Sequence, residues 1–171
     1  DSLGSMEKMA NRIAAIVKGL RTFSRQTDGD PMSPADLVAI AQETLAMCEA
    51  KLHAAGILVT LNVPLGRVTV RCRSSEISQV LLNLLSNAFD AVSALRERTI
   101  LLRVETANGK ARLSVEDSGL GIEESRRDRI FQPFYTTKEV GKGTGLGLSI
   151  SKGIVEAHGG RLFLDTSSRS E

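Results

Sequence analysis

Residues 99–117 read TILLRVETANGKARLSVED. Two alternating runs, Thr99 to Thr106 and Lys110 to Glu116, flank Asn108-Gly109. A strand turns its side chains to opposite faces in succession, and Asn-Gly tolerates the positive φ of a two-residue hairpin turn, so the stretch predicts an antiparallel hairpin. Within it Leu113, Val115 and Asp117 share one parity while Arg112, Ser114 and Glu116 share the other, which aims Asp117 at the apolar side. A carboxylate aimed inward is costly unless donors meet it, and the exocyclic amine of a ligand is one such donor. The plainer alternative is an Asp that only starts the turn Asp117-Ser118-Gly119.

Upstream of the hairpin, Ser74 or Ser75 caps a long helix to about Arg96. Before it come two extended runs, Ile57 to Val63 and Arg67 to Cys72, whose Pro64-Leu65-Gly66 separator predicts a second hairpin. Ser33-Pro34 opens a helix to about Ala54, with Ser33 as N-cap and Gly56 as the stop. Asp28-Gly29-Asp30-Pro31 reads as a linker. From Met9 to Phe23 the apolar residues Met9, Ile13, Ile16, Leu20 and Phe23 repeat at spacings of four and three, with Val17 widening the stripe. That is a coiled-coil seam on one helix, which must pack on the domain behind it or on a partner helix. Residues 1–5 have no apolar periodicity and are set aside.

Downstream, residues 118–145 are rich in Gly with little periodicity, a helix runs from about Leu146 to His158, Gly159-Gly160 ends it, and Arg161 to Asp165 returns as a strand. There is no internal repeat. This order predicts an α/β two-layer sandwich, a mixed and mostly antiparallel sheet with helices on one face, preceded by an N-terminal helix. It is not the regular βαβ alternation of a dinucleotide fold.

The 171 residues, with 22 Lys plus Arg against 20 Asp plus Glu and 42% hydrophobic content, fit one globular core plus an appended element. A net charge of +2, no Trp and one Tyr argue against nucleic-acid binding. No apolar run reaches the roughly 18 residues a membrane span needs, so direct membrane insertion is not expected. Cys48 and Cys72 lack CxxC spacing and read as buried free thiols, which points to a reducing, cytoplasmic setting for a chain whose parent protein could still be membrane-anchored.

On the helix Glu76 to Ala91, Ile77, Val80, Leu81, Leu84, Leu85, Ala88 and Ala91 crowd one side, while Glu76, Gln79, Asn83, Asn87 and Asp90 form a narrow stripe elsewhere. A solvated face usually carries Lys and Glu; Asn is a weak helix former, and two of them one turn apart in mid-helix call for a reason. Oxygens at i, i+4 and i+7 suit a hard cation such as Mg²⁺. Of fifteen glycines, six lie between 119 and 147: Gly119, Gly121, Gly141, Gly143, Gly145 and Gly147. Alternate glycines directly before a helix leave backbone N–H groups bare beside its positive end, where a polyphosphate would sit, against the alternative of a plain flexible loop. The stretch matches neither GxxxxGK[ST] nor GxGxxG. Between the glycine clusters, Ile130 to Lys138 holds three of the six aromatic residues and reads as a lid anchored by Phe131 and Phe134, from which Lys138 or Lys142 would reach a phosphate unless it is a solvated loop lysine.

In order, these segments resemble the catalytic ATP-binding domain of sensor histidine kinases, within the GHKL superfamily and its Bergerat fold. Asn83-Leu84-Leu85-Ser86-Asn87-Ala88 is similar to the N box, Asp117-Ser118-Gly119-Leu120-Gly121 to the G1 box, Phe131 to Phe134 to the F box, and Gly141 to Gly147 to the G2 box. Residues 1–26 resemble part of a dimerisation and phosphoacceptor hairpin, its second helix, and residues 33–171 the catalytic domain. The resemblance implies ATP and Mg²⁺ as cofactors: Asn87 would ligate the metal, Asn83 support it, Asp117 accept the adenine amino group, and Lys138 act with Asn83 and Asn87 in catalysis. Asp90, Gly119, Gly121, Ile122, Phe131, Thr137, Gly141, Lys142, Gly143, Thr144, Gly145, Leu146, Gly147 and Leu148 complete the implied ATP site. Hydrolysing relatives carry Glu at the position of Asn83, and an amide cannot serve as a base.

The resemblance further implies transfer of the γ-phosphoryl to a histidine on a phosphoacceptor hairpin, a response regulator beyond it, and a homodimer through residues 6–25. His53 and His158 lack the His-Glu or His-Asp context of family acceptors, so the acceptor is expected elsewhere than in this chain and the fragment is not expected to phosphorylate itself. Cys72-Arg73 departs from the Asp many relatives have before the N box. Two other readings stay open: a GHKL ATPase that drives a conformational change by hydrolysis, and an anti-sigma-type serine kinase.

Overall fold

A computed structural model describes residues 31–138 and 143–166. The helix expected over Met9 to Phe23 lies outside them. The chain divides into two compact units, and within the described residues these are 31–122 and 123–166.

Residues 31–122 hold five strands and two long helices, in the order β1 (Ser33–Asp36), α1 (Leu37–Ala54), β2 (Leu58–Asn62), β3 (Thr69–Cys72), α2 (Ser74–Val92), β4 (Thr99–Ala107) and β5 (Lys110–Asp117). β4 and β5 form the expected hairpin, paired antiparallel from Ile100 opposite Asp117 to Ala107 opposite Lys110. Its turn residues Asn108 and Gly109 take φ of 54° and 72°, the two successive positive values of a type I′ turn. The register sets Asp117, Val115 and Leu113 across from Ile100, Leu102 and Val104, which are 1%, 0% and 2% exposed. Asp117 therefore belongs to the core-facing side of the ladder, as its parity predicts.

The second expected hairpin does not form. β2 pairs in parallel with β4, and β3 pairs antiparallel with β1. The chain bends at Leu65-Gly66, but parallel pairing of Val59 and Leu61 beside Ile100 and Leu102 places their side chains on the core. Strand pairing here is decided by which face can be buried rather than by the nearest turn. The sheet is mixed, with two of its three ladders antiparallel, and lies in two pieces, β1-β3 and β2-β4-β5.

Ser33-Pro34 is likewise not a helix start. Both residues sit in β1, a strand on the edge of its ladder, where a residue without an N–H is tolerated. The N-cap of α1 is Asp36, whose Oδ1 accepts from the Val38 N–H at 3.0 Å and from the Val68 N–H at 3.2 Å. One carboxylate thus starts a helix and ties it to the segment entering β3. Gly56 ends α1 as expected, with its own N–H on the His53 carbonyl and the Ile57 N–H on that of Leu52.

α1 contributes Leu37, Ile40, Ala41 and Leu52 to one core, and α2 contributes Leu81, Leu85, Ala88 and Val92. With the inner face of β4 they form a single apolar cluster, so both helices cover the same side of the strands. Each fully buried Leu or Ile stabilises the fold by about 1.5–3 kcal/mol relative to exposure. α2 begins at Ser74 with Arg73 as N-cap, and no serine side chain caps it; Arg73 instead pairs with Glu76 at 3.2 Å. Cys72 is buried and Cys48 half-buried, both as free thiols.

Residues 123–166 hold a one-turn helix, α3 (Glu124–Arg127), inside the stretch expected to be irregular, and α4 (Gly147–Ala157). α4 ends in the same manner as α1, with the Gly159 N–H on Glu156 and the Gly160 N–H on Val155. The return strand expected over Arg161 to Asp165 is absent among the described residues. Leu162 and Leu164 are half-buried by alternation, yet no ladder accompanies them.

Candidate functional site

In residues 31–122 the site is built on α2. Val80, Leu81, Leu85, Ala88 and Val92 pin one face of the helix to the core. That burial fixes the rotation of the helix, so Asn83 and Asn87, about one turn apart, emerge half-buried on a neighbouring stripe, with Asp90 exposed one turn further on. Ala91 follows Asn87 at i+4. A side chain on Gly119 would come within 3.0 Å of Ala91 Cβ and would collide with Asp117 Oδ1. The turn after β5 is therefore pressed against Ala91 near the C-terminal end of α2, and only glycine permits that approach.

Asp117 both starts this turn and faces inward. Its Oδ1 accepts from the Gly119 N–H at 2.8 Å. The two sequence alternatives for Asp117 are thus not exclusive. A residue that the sequence reading passed over, Ser118, secures the geometry: its N–H donates to the Thr99 carbonyl, its hydroxyl donates to the Glu97 carbonyl and accepts from the Thr99 N–H, each at 3.0 Å. The signal available was a short hydroxyl in a turn, a residue type that bonds nearby backbone. Gly121 has φ of 77°, Leu120 beside it is 86% exposed, and Ile122 is half-buried.

In residues 123–166 the expected site residues lie on two arms of chain and a helix start. Phe131 is half-buried with the Lys152 ammonium 5.9 Å above its ring. Phe134 is 60% exposed, so it is no apolar anchor; its backbone takes that part instead, at φ of 65°. A side chain on Gly145 would come within 2.7 Å of the Phe134 carbonyl oxygen. One on Gly143 would come within 2.6 Å of Thr136 Oγ1 and 3.1 Å of the Lys138 stem. The arm carrying Thr137 and Lys138 is thereby brought alongside Gly143, Thr144 and Gly145. Gly141 and Lys142 lie outside the described residues. Leu146 leads into α4, its N–H 3.4 Å from Thr144 Oγ1, and Gly147 and Leu148 open the helix. The first turn of α4 contains no acidic residue, which leaves its positive end uncompensated from within.

Among the described residues the remaining titratable groups do not make a second centre. His53 is exposed near the end of α1, and His158 caps α4 with Nδ1 2.8 Å from the Ile154 carbonyl oxygen. No group of three or more His, Cys, Asp or Glu among the described residues is placed to hold a metal ion. Burial pushes the Cys72 thiol above its ordinary range. Among the described residues no helix is long and apolar enough to cross a membrane.

Comparison with known proteins identifies the family and the fold. Residues 72–171 match the family described as histidine kinase-, DNA gyrase B-, and HSP90-like ATPase. Over 167 residues the chain is 36% identical to the two-component sensor PprA of Pseudomonas aeruginosa, an alignment covering 95% of this chain but 18% of that sensor. Among solved structures it resembles the nucleotide-free catalytic domain of the histidine kinase ThkA, at a TM-score of 0.71 and 32% identity, covering 81% of this chain and 91% of that one. It also resembles ThkA in complex with the response regulator protein TrrA, at a TM-score of 0.73 and 25% identity over 93% of this chain and 46% of that one. α2 and the turn at Gly119 fall within the matched region, and the chain belongs to the histidine kinase-, DNA gyrase B- and HSP90-like ATPase family, as a sensor histidine kinase ATP-binding domain.

Proposed function

We propose that this chain binds Mg²⁺–ATP and transfers the γ-phosphoryl group to a histidine presented by a phosphoacceptor hairpin, from which a response regulator would take it. The observation that carries the reading is the pair Asn83 and Asn87 on one stripe of α2, with Gly119 pressed onto Ala91 one turn further on and Asp117 on the core-facing side of its ladder. Asp117 would accept the adenine amino group through the carboxylate oxygen not engaged by Gly119, which distinguishes adenine from a purine bearing a carbonyl there. Gly119, Gly121 and Ile122 would shape the purine's surroundings.

The donor set suits Mg²⁺ brought in by a nucleotide. Two half-buried amides, with no carboxylate cage among the described residues, match an ion that keeps phosphate oxygens and water among its ligands. Asn87 would hold it, with Asn83 and Asp90 on the same stripe supporting its water. Bound there, the ion would neutralise charge on the transferring phosphoryl group. The backbone from Gly143 to Leu148 and the positive end of α4 would grip phosphate oxygens. Lys138, with Lys142 and Gly141, would add a cation and backbone donors, and Phe131 and Thr137 would position that arm. Asn83 favours transfer over hydrolysis, because its amide cannot take a proton from water. Catalysis would then rest on alignment and charge neutralisation.

Residues 6–25 would supply the dimer contact, residues 1–26 part of the hairpin and residues 33–171 the catalytic domain, in the cytoplasm. Incubation with ATP, Mg²⁺ and a separately made phosphoacceptor hairpin tests the reading. Acid-labile, base-stable phosphate on the hairpin is expected, with none on the chain alone. Acid-stable phosphate on a partner, or steady phosphate release without an acceptor, would replace it with the serine-kinase or hydrolytic alternative.

A further inference from the structure

The two arms 134–138 and 143–145 support an inference that rests on the ATP site proposed above. They run side by side in reverse order, Phe134 against Gly145 and Thr136 with Lys138 against Gly143. No ladder joins them. What holds them is fit: at Gly145 the nearest neighbours of an added Cβ are all Phe134 backbone, with its Cα at 2.8 Å, and at Gly143 the nearest is the Thr136 hydroxyl at 2.6 Å. Phe134 accepts a positive φ of 65° in this arrangement, a conformation costing a non-glycine residue about 1 kcal/mol and kept only where neighbours over-determine it.

Thr136 is at the centre of the fit. Its Oγ1 accepts from the Lys138 N–H at 3.2 Å, and the same oxygen fills the space beside Gly143. The root of Lys138 is thereby set by a hydroxyl two residues back, and its stem, at Cβ and Cδ, rests where a Gly143 side chain would be. A lysine ammonium is a point charge on a flexible stem; fixing the root and the stem removes much of the freedom that binding would otherwise have to remove.

We propose that Thr136 is a positioning residue for Lys138, and that through it the arm discriminates a nucleoside triphosphate from a diphosphate. An ammonium that reaches the terminal phosphate would favour the ligand that has one more, whereas a hydroxyl that merely completes a local turn would affect both ligands alike.

The test is calorimetric titration with Mg²⁺ and either ADP or the β,γ-imido analogue of ATP. Thr136→Val is expected to lower the ratio of analogue to ADP affinity about tenfold while ADP affinity stays within about twofold. Thr136→Ser, which keeps the hydroxyl, should retain the ratio, and Thr136→Val should add nothing in a Lys138→Ala background. Thr136→Ala, which removes bulk rather than exchanging it, is run in parallel in case the valine variant does not fold. Equal losses for both nucleotides, an unchanged ratio, or an additive loss on top of Lys138→Ala would overturn the assignment. A wild-type chain that binds neither nucleotide would defeat the ATP site itself, and this assignment with it. Wild-type binding with the ratio intact in the Thr136 variants would defeat the positioning role alone.

Discussion

In residues 31–122, two helices and five strands enclose a core whose fully buried side chains include Leu81, Leu85, Ile100 and Leu102. In residues 123–166, Leu146 and Ile154 are the buried apolar side chains among those described, and the backbone is held by turns and by glycines lying against other chain. The first unit therefore presents Asn83, Asn87 and Asp117 from elements that open only with the core. The second presents Lys138 and Gly143 to Gly147 from segments whose local opening costs much less.

The largest effect should come from breaking the first unit's core. Leu102→Ala, at a fully buried position of β4, is expected to cost about 2–5 kcal/mol in chemical denaturation. A loss under 1 kcal/mol would mean that the core does not govern this unit. Next comes Asp117→Asn. Asparagine retains an oxygen that can accept from Gly119, so the midpoint of unfolding should hardly move, while ATP affinity should fall by about 2–3 kcal/mol and the preference for ATP over GTP should vanish. Unchanged affinity in calorimetry would count against Asp117 as the adenine reader.

Gly145 and Gly109 sharpen the comparison. Their φ values are 67° and 72°, but an added Cβ at Gly109 meets nothing within 4 Å, whereas at Gly145 it meets the Phe134 backbone. Gly109→Ala should cost about 1 kcal/mol of stability, the conformational penalty alone, and leave nucleotide binding intact. Gly145→Ala should weaken ATP binding by more than about tenfold without lowering the denaturation midpoint of the first unit. Equal behaviour of the two variants in both assays would show that backbone contact with Phe134 has no functional weight.

The smallest effect concerns Cys72. Its thiol is pushed up by burial, so at alkaline pH the unfolded chain gives up the proton first and stability falls as pH rises through and beyond the ordinary thiol range. Below that range the contribution is fully present. Cys48, half-buried, should react with a thiol reagent before Cys72 in the folded protein, and the reverse order would contradict the burial.

What could be read from the residues follows the range of the interactions involved. The Asn108-Gly109 hairpin and the stops at Gly56 and Gly159 are local, and backbone chemistry over a few residues decides them. The asparagine stripe was legible because 3.6-residue periodicity assigns faces without knowledge of the partner. Pro64-Leu65-Gly66 misled because a turn says that the chain reverses, not which strand it then joins; β2 and β3 each found a distant partner. Ser33-Pro34 misled because Pro suits both a helix start and an edge strand, and Asp36 three residues on is the better cap. Leu162 and Leu164 alternate without pairing, since burial of alternate side chains needs a neighbouring surface but not a ladder. Periodicity could not show what Thr136, Ser118 and Ala91 meet, because that is fixed by backbone that approaches from elsewhere in the chain.

Pro34 has one more consequence. β1 is four residues long and lies at the border of its ladder, where an open row of peptide groups would invite a foreign strand to add on. A strand so short offers few peptide groups for a foreign strand to add to, and Pro34 contributes no amide hydrogen to such a template.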